Sequence, residues 1–156
     1  MLRAILSVIA GYVTMFMVVM ATFSVAFLAL GTERAFAPGS WDPSVLWLVV
    51  SFALGLLAAV VGGWVCATIA RAPKPPMALA VLVVVLGLMG AVSVVMRSPD
   101  EGGPSVREGD VSNLEAMNNA RQPAWVALLN PFVGVAGVLL GARLAGREPS
   151  VAAPSR

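Results

Sequence analysis

The amino-acid sequence predicts an all-α integral membrane protein, a polytopic bundle of four transmembrane helices. Of its 156 residues, 59% are hydrophobic and only 12% are charged, and the mean hydropathy is +0.90. A soluble domain of this size is usually less apolar. Four runs without interior charges also reach the length of about 20 residues that a helix needs to cross a bilayer. The strands of a membrane barrel would instead alternate apolar and polar residues over about ten positions.

The four predicted spans belong to one domain, residues 1–145, followed by a flexible cytoplasmic tail at 146–156. Because backbone groups in lipid must be hydrogen-bonded within the protein, each apolar run is expected to be a helix. The predicted helices are 4–30, 45–70, 77–96 and 124–145.

The first span also has features of a secretory signal peptide. A short basic flank ending at Arg3 precedes it, and the small residues Ala35 and Ala37 follow at the spacing of a cleavage site. Its apolar run of 27 residues exceeds the roughly 7 to 15 of a signal core. The length therefore favours an uncleaved membrane anchor.

The distribution of basic residues predicts the orientation of the chain. With four spans, both termini and the connection at 71–76 share one side, which carries six basic residues against four on the other side. The positive-inside rule therefore places both termini in the cytoplasm. Nine arginines against one lysine, with abundant Ala, Gly and Val, are typical of a GC-rich bacterial genome. The net charge of +2 reflects this topology and gives no reason to expect nucleic-acid binding.

The longest connection between spans is the outer loop 97–123. Its first half is rich in Pro, Gly and charge, which is typical of a mobile loop. Ser112 followed by Glu115 is a capping-box pattern that predicts a short interfacial helix at about 113–121. One face of that helix would keep its apolar side chains out of water: Leu114, Met117 and Ala120. The helix is either a simple connector or a site for a partner.

Residues that usually carry chemistry are almost absent. The chain has no histidine and a single cysteine, Cys66, which excludes an internal disulfide and indicates a packing residue. No Asp or Glu lies within a predicted span, although proton-coupled transporters need such a group. Neither a phosphate-binding glycine loop nor a nucleophile elbow is present. The sequence therefore predicts no enzyme activity, no metal site and no cofactor.

Small residues recur at intervals of four in the second span. That stripe consists of Ser51, Gly55, Ala59, Gly63 and Ala67. The fourth span offers Gly134, Gly137 and Gly141. Since lipid provides no hydrophobic drive between helices, close backbone approach along such stripes is how they associate. We expect these two helices to make the tightest contact, within the chain or else with a second copy or an accessory subunit.

Asn130 and Pro131 interrupt the fourth span with a polar side chain and a missing backbone donor. Proline frees a carbonyl four residues earlier, that of Ala127, and bends the helix. We expect the Asn130 amide, or a hydroxyl from another helix, to bond the freed carbonyls. The pair is interpreted as a packing kink, with a gate or ligand contact as the alternative.

The order of several short motifs is similar to that of known proteins. The motifs are GY at Gly11, GG at Gly62, QPxW at Gln122, then Pro131, Gly137 and GxR at Gly141. This layout resembles uncharacterised small bacterial inner-membrane proteins with four helices. The resemblance implies the fold and location but no activity.

Two functional classes remain open at this stage. The first is a structural or accessory membrane component that packs in the lipid bilayer against itself or a larger membrane complex. The second is a transporter or channel component acting as an oligomer, which needs polar side chains from several helices at one depth. The candidates for such a path are Tyr12, Thr14, Ser93 and Asn130.

Overall fold

A computed structural model describes residues 2–96 and 111–146. Its helices are α1 (Leu2–Leu30), α2 (Thr32–Ala35), α3 (Val45–Ala70), α4 (Lys74–Met96), α5 (Asn113–Asn119) and α6 (Ala124–Ala145). Four of them, α1, α3, α4 and α6, are long and apolar enough to cross a membrane. The predicted all-α bundle of four spans is confirmed, and these helices indicate an integral membrane protein.

The helix boundaries differ from the predicted ones mainly at α4. This helix begins at Lys74, three residues before the predicted start, and takes Pro75 and Pro76 into its first turn. Proline is tolerated there because first-turn amides have no partner within the helix. The predicted mobile half of the outer loop and the predicted tail beyond Gly146 lie outside the described residues.

The long helices are neighbours in the order α1, α3, α6, α4 around the bundle. The most extensive interhelical contact joins α3 to α6, followed by those of α1 with α3 and α4 with α6. α3 and α6 run parallel, because Gly137 lies against Ala59 and Gly141 lies against Val60 further along both helices. α1 and α4 meet near one end of the bundle, where Leu79 reaches Gly11. This end carries Arg3, Arg71 and Arg143, and we call it the basic end.

The basic half of the bundle contains a buried cluster of small and aliphatic residues. It consists of Ala59, Cys66, Leu79, Ala80 and Val138. The hydroxyl of the fully buried Ser7 donates to the Ala4 carbonyl at 2.7 Å. The Cys66 thiol lies within hydrogen-bonding distance of the Ser7 side chain. A Cβ on Gly11 would lie only 2.8 Å from the Cβ of Cys66. The helices are therefore packed closely at this end, with Cys66 as a packing residue.

A second hydrophobic cluster lies at the opposite end, in a structure that we call the cap: α2, the segment 36–44 and α5. The buried residues of this cluster are Phe27 of α1 together with Ala35, Phe36, Trp41 and Ala116 of the cap. Hydrogen bonds join the cap to itself and to α1: Val111 N to Thr32 Oγ1 at 3.3 Å, Arg121 N to the Trp41 carbonyl at 3.0 Å and Asn113 Nδ2 to Ser24 Oγ at 3.0 Å. The cap thus closes one end of the bundle with side chains outside the long helices.

The short helix α5 is capped as predicted. The Glu115 amide donates to Ser112 Oγ at 3.2 Å. Ala116 is buried, whereas Leu114 is 69% and Met117 54% exposed. The Asn113 bond to α1 and the small Ala116 side chain set the face that contacts the bundle. The side chains of Leu114 and Met117 are largely exposed within the chain, and their burial in a membrane interface stays a prediction.

Candidate functional site

The small-residue stripes make direct backbone contact in the basic half of the bundle. A Cβ on Gly63 would overlap the Val138 backbone, and one on Gly141 would overlap the Val60 carbonyl. A Cβ on Gly137 would lie 2.5 Å from the Ala59 Cβ. At these positions the neighbouring helix belongs to the same chain, and only glycine leaves room for it.

The remaining stripe residues are not part of this interface. A Cβ on Gly55 would have no neighbouring atom within 4 Å, and Gly134 faces Val83 of α4 rather than α3. Ser51 lies with Gly55 on the wall of a cavity, and Ala67 lines a different cavity at the basic end. The regular spacing in the sequence therefore covers two distinct environments, close packing in the middle of α3 and cavity walls toward both of its ends.

The main cavity in the cap half of the bundle has a volume of about 530 Å³. All four long helices and the cap line it. Glycines contribute to its walls on three helices, and they are Gly55, Gly87 and Gly134. Of the three, Gly55 has open space where its side chain would be, whereas Pro131 packs on Gly87 and Val83 packs on Gly134. We call this space the cap-side cavity.

The lining of the cap-side cavity is mainly apolar, with a few polar groups. Phe23, Trp47 and Phe52 supply aromatic surface. The Ser51 hydroxyl donates to the Leu48 carbonyl at 2.9 Å, so its proton is already bonded. The other polar lining residues are Arg121, Gln122 and Asn130. Such a cavity suits an apolar group with a polar end, and Arg121 is the one ionisable side chain of its described lining.

Asn130 and Pro131 have different surroundings. Pro131 is buried, and its ring packs on Gly87 of α4, where a Cβ would lie 2.7 Å from the proline Cγ. Asn130 is exposed along the cavity, and its side chain makes no hydrogen bond to the residues that the structure describes. The predicted amide bond to the freed carbonyls is therefore absent there, because the side chain lies beside the cavity instead.

The other polar residues considered for a transport path do not join Asn130. Thr14 and Ser93 donate to carbonyls of their own helices, those of Ala10 and Met89, at 2.8 and 3.0 Å. Neither they nor Tyr12 line the cap-side cavity. Sequence reasoning missed Gly87, Arg121 and Gln122 as lining residues, since only the packing of α4 and the cap brings them there. Within residues 2–96 and 111–146, no cluster of His, Cys, Asp or Glu could hold a metal ion.

Comparison with known proteins adds no relative: no family model, curated protein or solved structure matches this chain. The similarity to small bacterial four-helix proteins, based on motifs such as Gly62-Gly63 and Gly141-Ala142-Arg143, therefore stays a prediction. Any functional conclusion has to come from the geometry of the two halves of the bundle.

Proposed function

We propose that this protein is a non-catalytic accessory component of a larger membrane complex. Its basic half would serve as a rigid scaffold, and its cap-side cavity would receive an apolar segment of the partner. The single observation that carries the proposal is the contrast between these halves. Backbone contacts at Gly63 and Gly141 leave no room between α3 and α6, whereas the cap side of these contacts holds an open, mostly apolar cavity of about 530 Å³.

The size and chemistry of the cavity support this role. Binding sites for compact groups typically measure about 300 to 1,000 Å³ and combine apolar walls with a few polar groups. Large apolar side chains are also exposed near the cavity, including Met117 of the cap at 54% and Trp125 of α6 at 55%. Met and Trp are enriched in protein interfaces. Together they offer a partner segment both a recess and an apolar rim.

Filling the cavity tests the proposal directly. Gly55 lines the cavity and has open space around it, so Gly55→Leu is expected to fold normally while it occupies part of the recess. We expect at least about a tenfold loss of the copurifying partner, which corresponds to about 1.4 kcal/mol of binding free energy. Purification in mild detergent, with mass spectrometry of the copurifying proteins, measures this loss.

Gly90→Leu is the matched control for this experiment. Gly90 also has nothing within 4 Å, but it lies on α4 away from the cavity, so its variant should keep the partner. Equal partner recovery from both variants would contradict a role for the cavity. Purified wild-type protein without any stoichiometric partner would argue against an accessory function as such.

A transport function is the second candidate, and the position of Asn130 favours it. This amide lies on the cavity wall without a bonded partner among the described side chains. For transport, a second copy of the chain would have to complete a polar path, because the contacts at Gly63 and Gly141 leave no room between α3 and α6 beyond the cavity. The cavity alone supplies only the part of such a path nearest to the cap.

Chemical labelling separates the two candidates. In a Cys66→Ala background, a cysteine substituted for Asn130 is expected to react with a membrane-impermeant thiol reagent from the cap side only. The basic half blocks access from the other side, because Gly11 and Gly63 allow close helix contact there. Reaction from both sides, measured in vesicles of opposite orientation, would favour transport over the accessory role. Failure to react from either side would contradict an accessible cavity.

A further inference from the structure

A large cavity at the basic end of the bundle is not used by the proposed function. Its volume is about 1210 Å³, and it lies between the ends of α3 and α6 and the beginning of α4. Arg71 and Arg143 line it, and Met77 and Leu139 supply apolar surface. The cavity therefore combines two positive charges with an apolar wall at the ends of the spanning helices.

The two arginines have no acidic neighbour in the part of the chain that the structure describes. Both are exposed, and neither side chain donates a hydrogen bond to a described residue. The described acids all belong to the cap and lie at the opposite end: Glu33, Asp42 and Glu115. Arg3 differs, because its Nε donates to the Ile69 carbonyl at 2.8 Å. Within the described residues, neither of the two charges that line the cavity is paired.

The backbone at Arg71 is a second, independent sign of function. Arg71 has φ 52° and ψ 32° and ends α3 in the left-handed conformation, with its amide bonded to the Ala67 carbonyl. It is the one non-glycine residue with positive φ in the described ranges. Glycine adopts this conformation at helix ends with less strain than any other residue. An arginine there interacts favourably with the negative end of the helix dipole. The left-handed backbone still costs strain energy, which indicates that the arginine side chain itself is needed at this position.

We propose that this cavity binds the phosphate of an anionic phospholipid through Arg71 and Arg143. Guanidinium groups bind phosphate oxygens in a bidentate geometry. Basic pockets between membrane helices, at headgroup depth, are suited to anionic lipid headgroups. The apolar side chains of Met77 and Leu139 would contact the glycerol and acyl region of the same lipid. This inference does not depend on the accessory role, since it concerns the other end of the bundle.

Lipid retention in detergent provides the test. Wild-type protein mixed with phosphatidylglycerol is expected to retain one lipid through washing, as measured by native mass spectrometry, and to release phosphatidylcholine. The variant Arg71→Gly with Arg143→Gln should retain at least about a hundredfold less phosphatidylglycerol, because it loses two charge-assisted contacts. The loss of two surface charges alone would lower retention only about 25-fold. Glycine at position 71 also relieves the strain of the left-handed backbone conformation. The melting temperature of the single variant Arg71→Gly should therefore match or exceed that of the wild type.

Lys74→Gln is the matched control. Lys74 is basic, exposed and close to Arg71 in the sequence, but it does not line the cavity. Its loss should lower retention by no more than the roughly fivefold effect of one charge near a lipid surface. A reduction equal to that of the arginine variant would mean diffuse surface attraction and would overturn the site. Equal retention of phosphatidylcholine by the wild type would overturn it as well.

A competition arm identifies the source of the phosphate. Inorganic phosphate at millimolar concentration is expected to leave the retained phosphatidylglycerol in place, because it lacks the apolar contacts with Met77 and Leu139. Displacement of the lipid by free phosphate would overturn the lipid assignment and leave a simple anion site. The Arg71→Lys and Arg143→Lys variants, which keep charge but lose bidentate geometry, should give intermediate retention.

Discussion

Replacement of Gly63 by leucine is expected to separate α3 from α6 and to destroy the folded bundle. The added Cβ would overlap the Val138 backbone, which cannot rotate away as a side chain can. Overpacking of a core usually costs about 1 to 3 kcal/mol, and collision with backbone on the most extensive helix contact should exceed that. We therefore expect a loss of more than about 3 kcal/mol in stability, seen as aggregation on size-exclusion chromatography in detergent.

The control for Gly63→Leu is the same substitution at a glycine with free space. Gly55→Leu and Gly90→Leu add an identical side chain where no atom lies within 4 Å. Both should elute as the wild type does and melt at a similar temperature. If Gly63→Leu behaved like these two, the direct contact between α3 and α6 would be wrong.

Truncation of Trp41 to alanine is expected to release the cap without unfolding the long helices. Trp41 is only 3% exposed and packs edge-on against Phe36, with ring centroids 5.7 Å apart. Loss of a buried tryptophan side chain costs about 3 to 5 kcal/mol. The cost would fall on the cap, because the buried cluster around Trp41 is separate from the cluster in the basic half. Hydrogen exchange should accelerate in α5 and in the segment 36–44 but not near Cys66.

Trp41→Phe distinguishes loss of packing from loss of the indole N–H. The Trp41 Nε1 atom is buried without a hydrogen-bond partner within the described chain. A buried unbonded donor costs about 1 to 3 kcal/mol. Phenylalanine removes that donor and keeps an aromatic ring against Phe36, so exchange in the cap should stay near the wild-type rate. Faster exchange in Trp41→Phe, to the level of Trp41→Ala, would contradict the expectation that an aromatic ring against Phe36 is enough to hold the cap.

The prediction of the spanning helices succeeded because it depends on local properties of the chain. Length, apolarity and the demand for backbone hydrogen bonds in lipid act on each segment separately. The end of α3 at Ala70 and the start of α6 at Ala124 agree with the predicted limits. The cap was largely missed, since Phe36 and Trp41 lie in a connection without periodicity. Their burial depends on α5, which is 70 or more positions away in the sequence.

The candidate sites depended still more on packing between helices. The four-residue spacing identified Gly63 as an interface residue but gave no sign that Gly55, two turns earlier on the same stripe, would line a cavity. Spacing defines a face of one helix, whereas the neighbour of each position depends on how the other helices cross it. The same limit applies to Asn130, whose surroundings include Gly87 of α4 and the cap.

The sequence by itself determined the four apolar helices, the basic end of the bundle and the capped start of α5. These features follow from the composition and order of residues along each segment. Only the tertiary structure decided that α3 and α6 meet at Gly63 and Gly141, that a cavity lies on the cap side of this contact, and that Arg71 and Arg143 line another cavity at the basic end. Helices in lipid associate through shape rather than hydrophobicity, and shape complementarity is a property of two surfaces together that no single segment encodes.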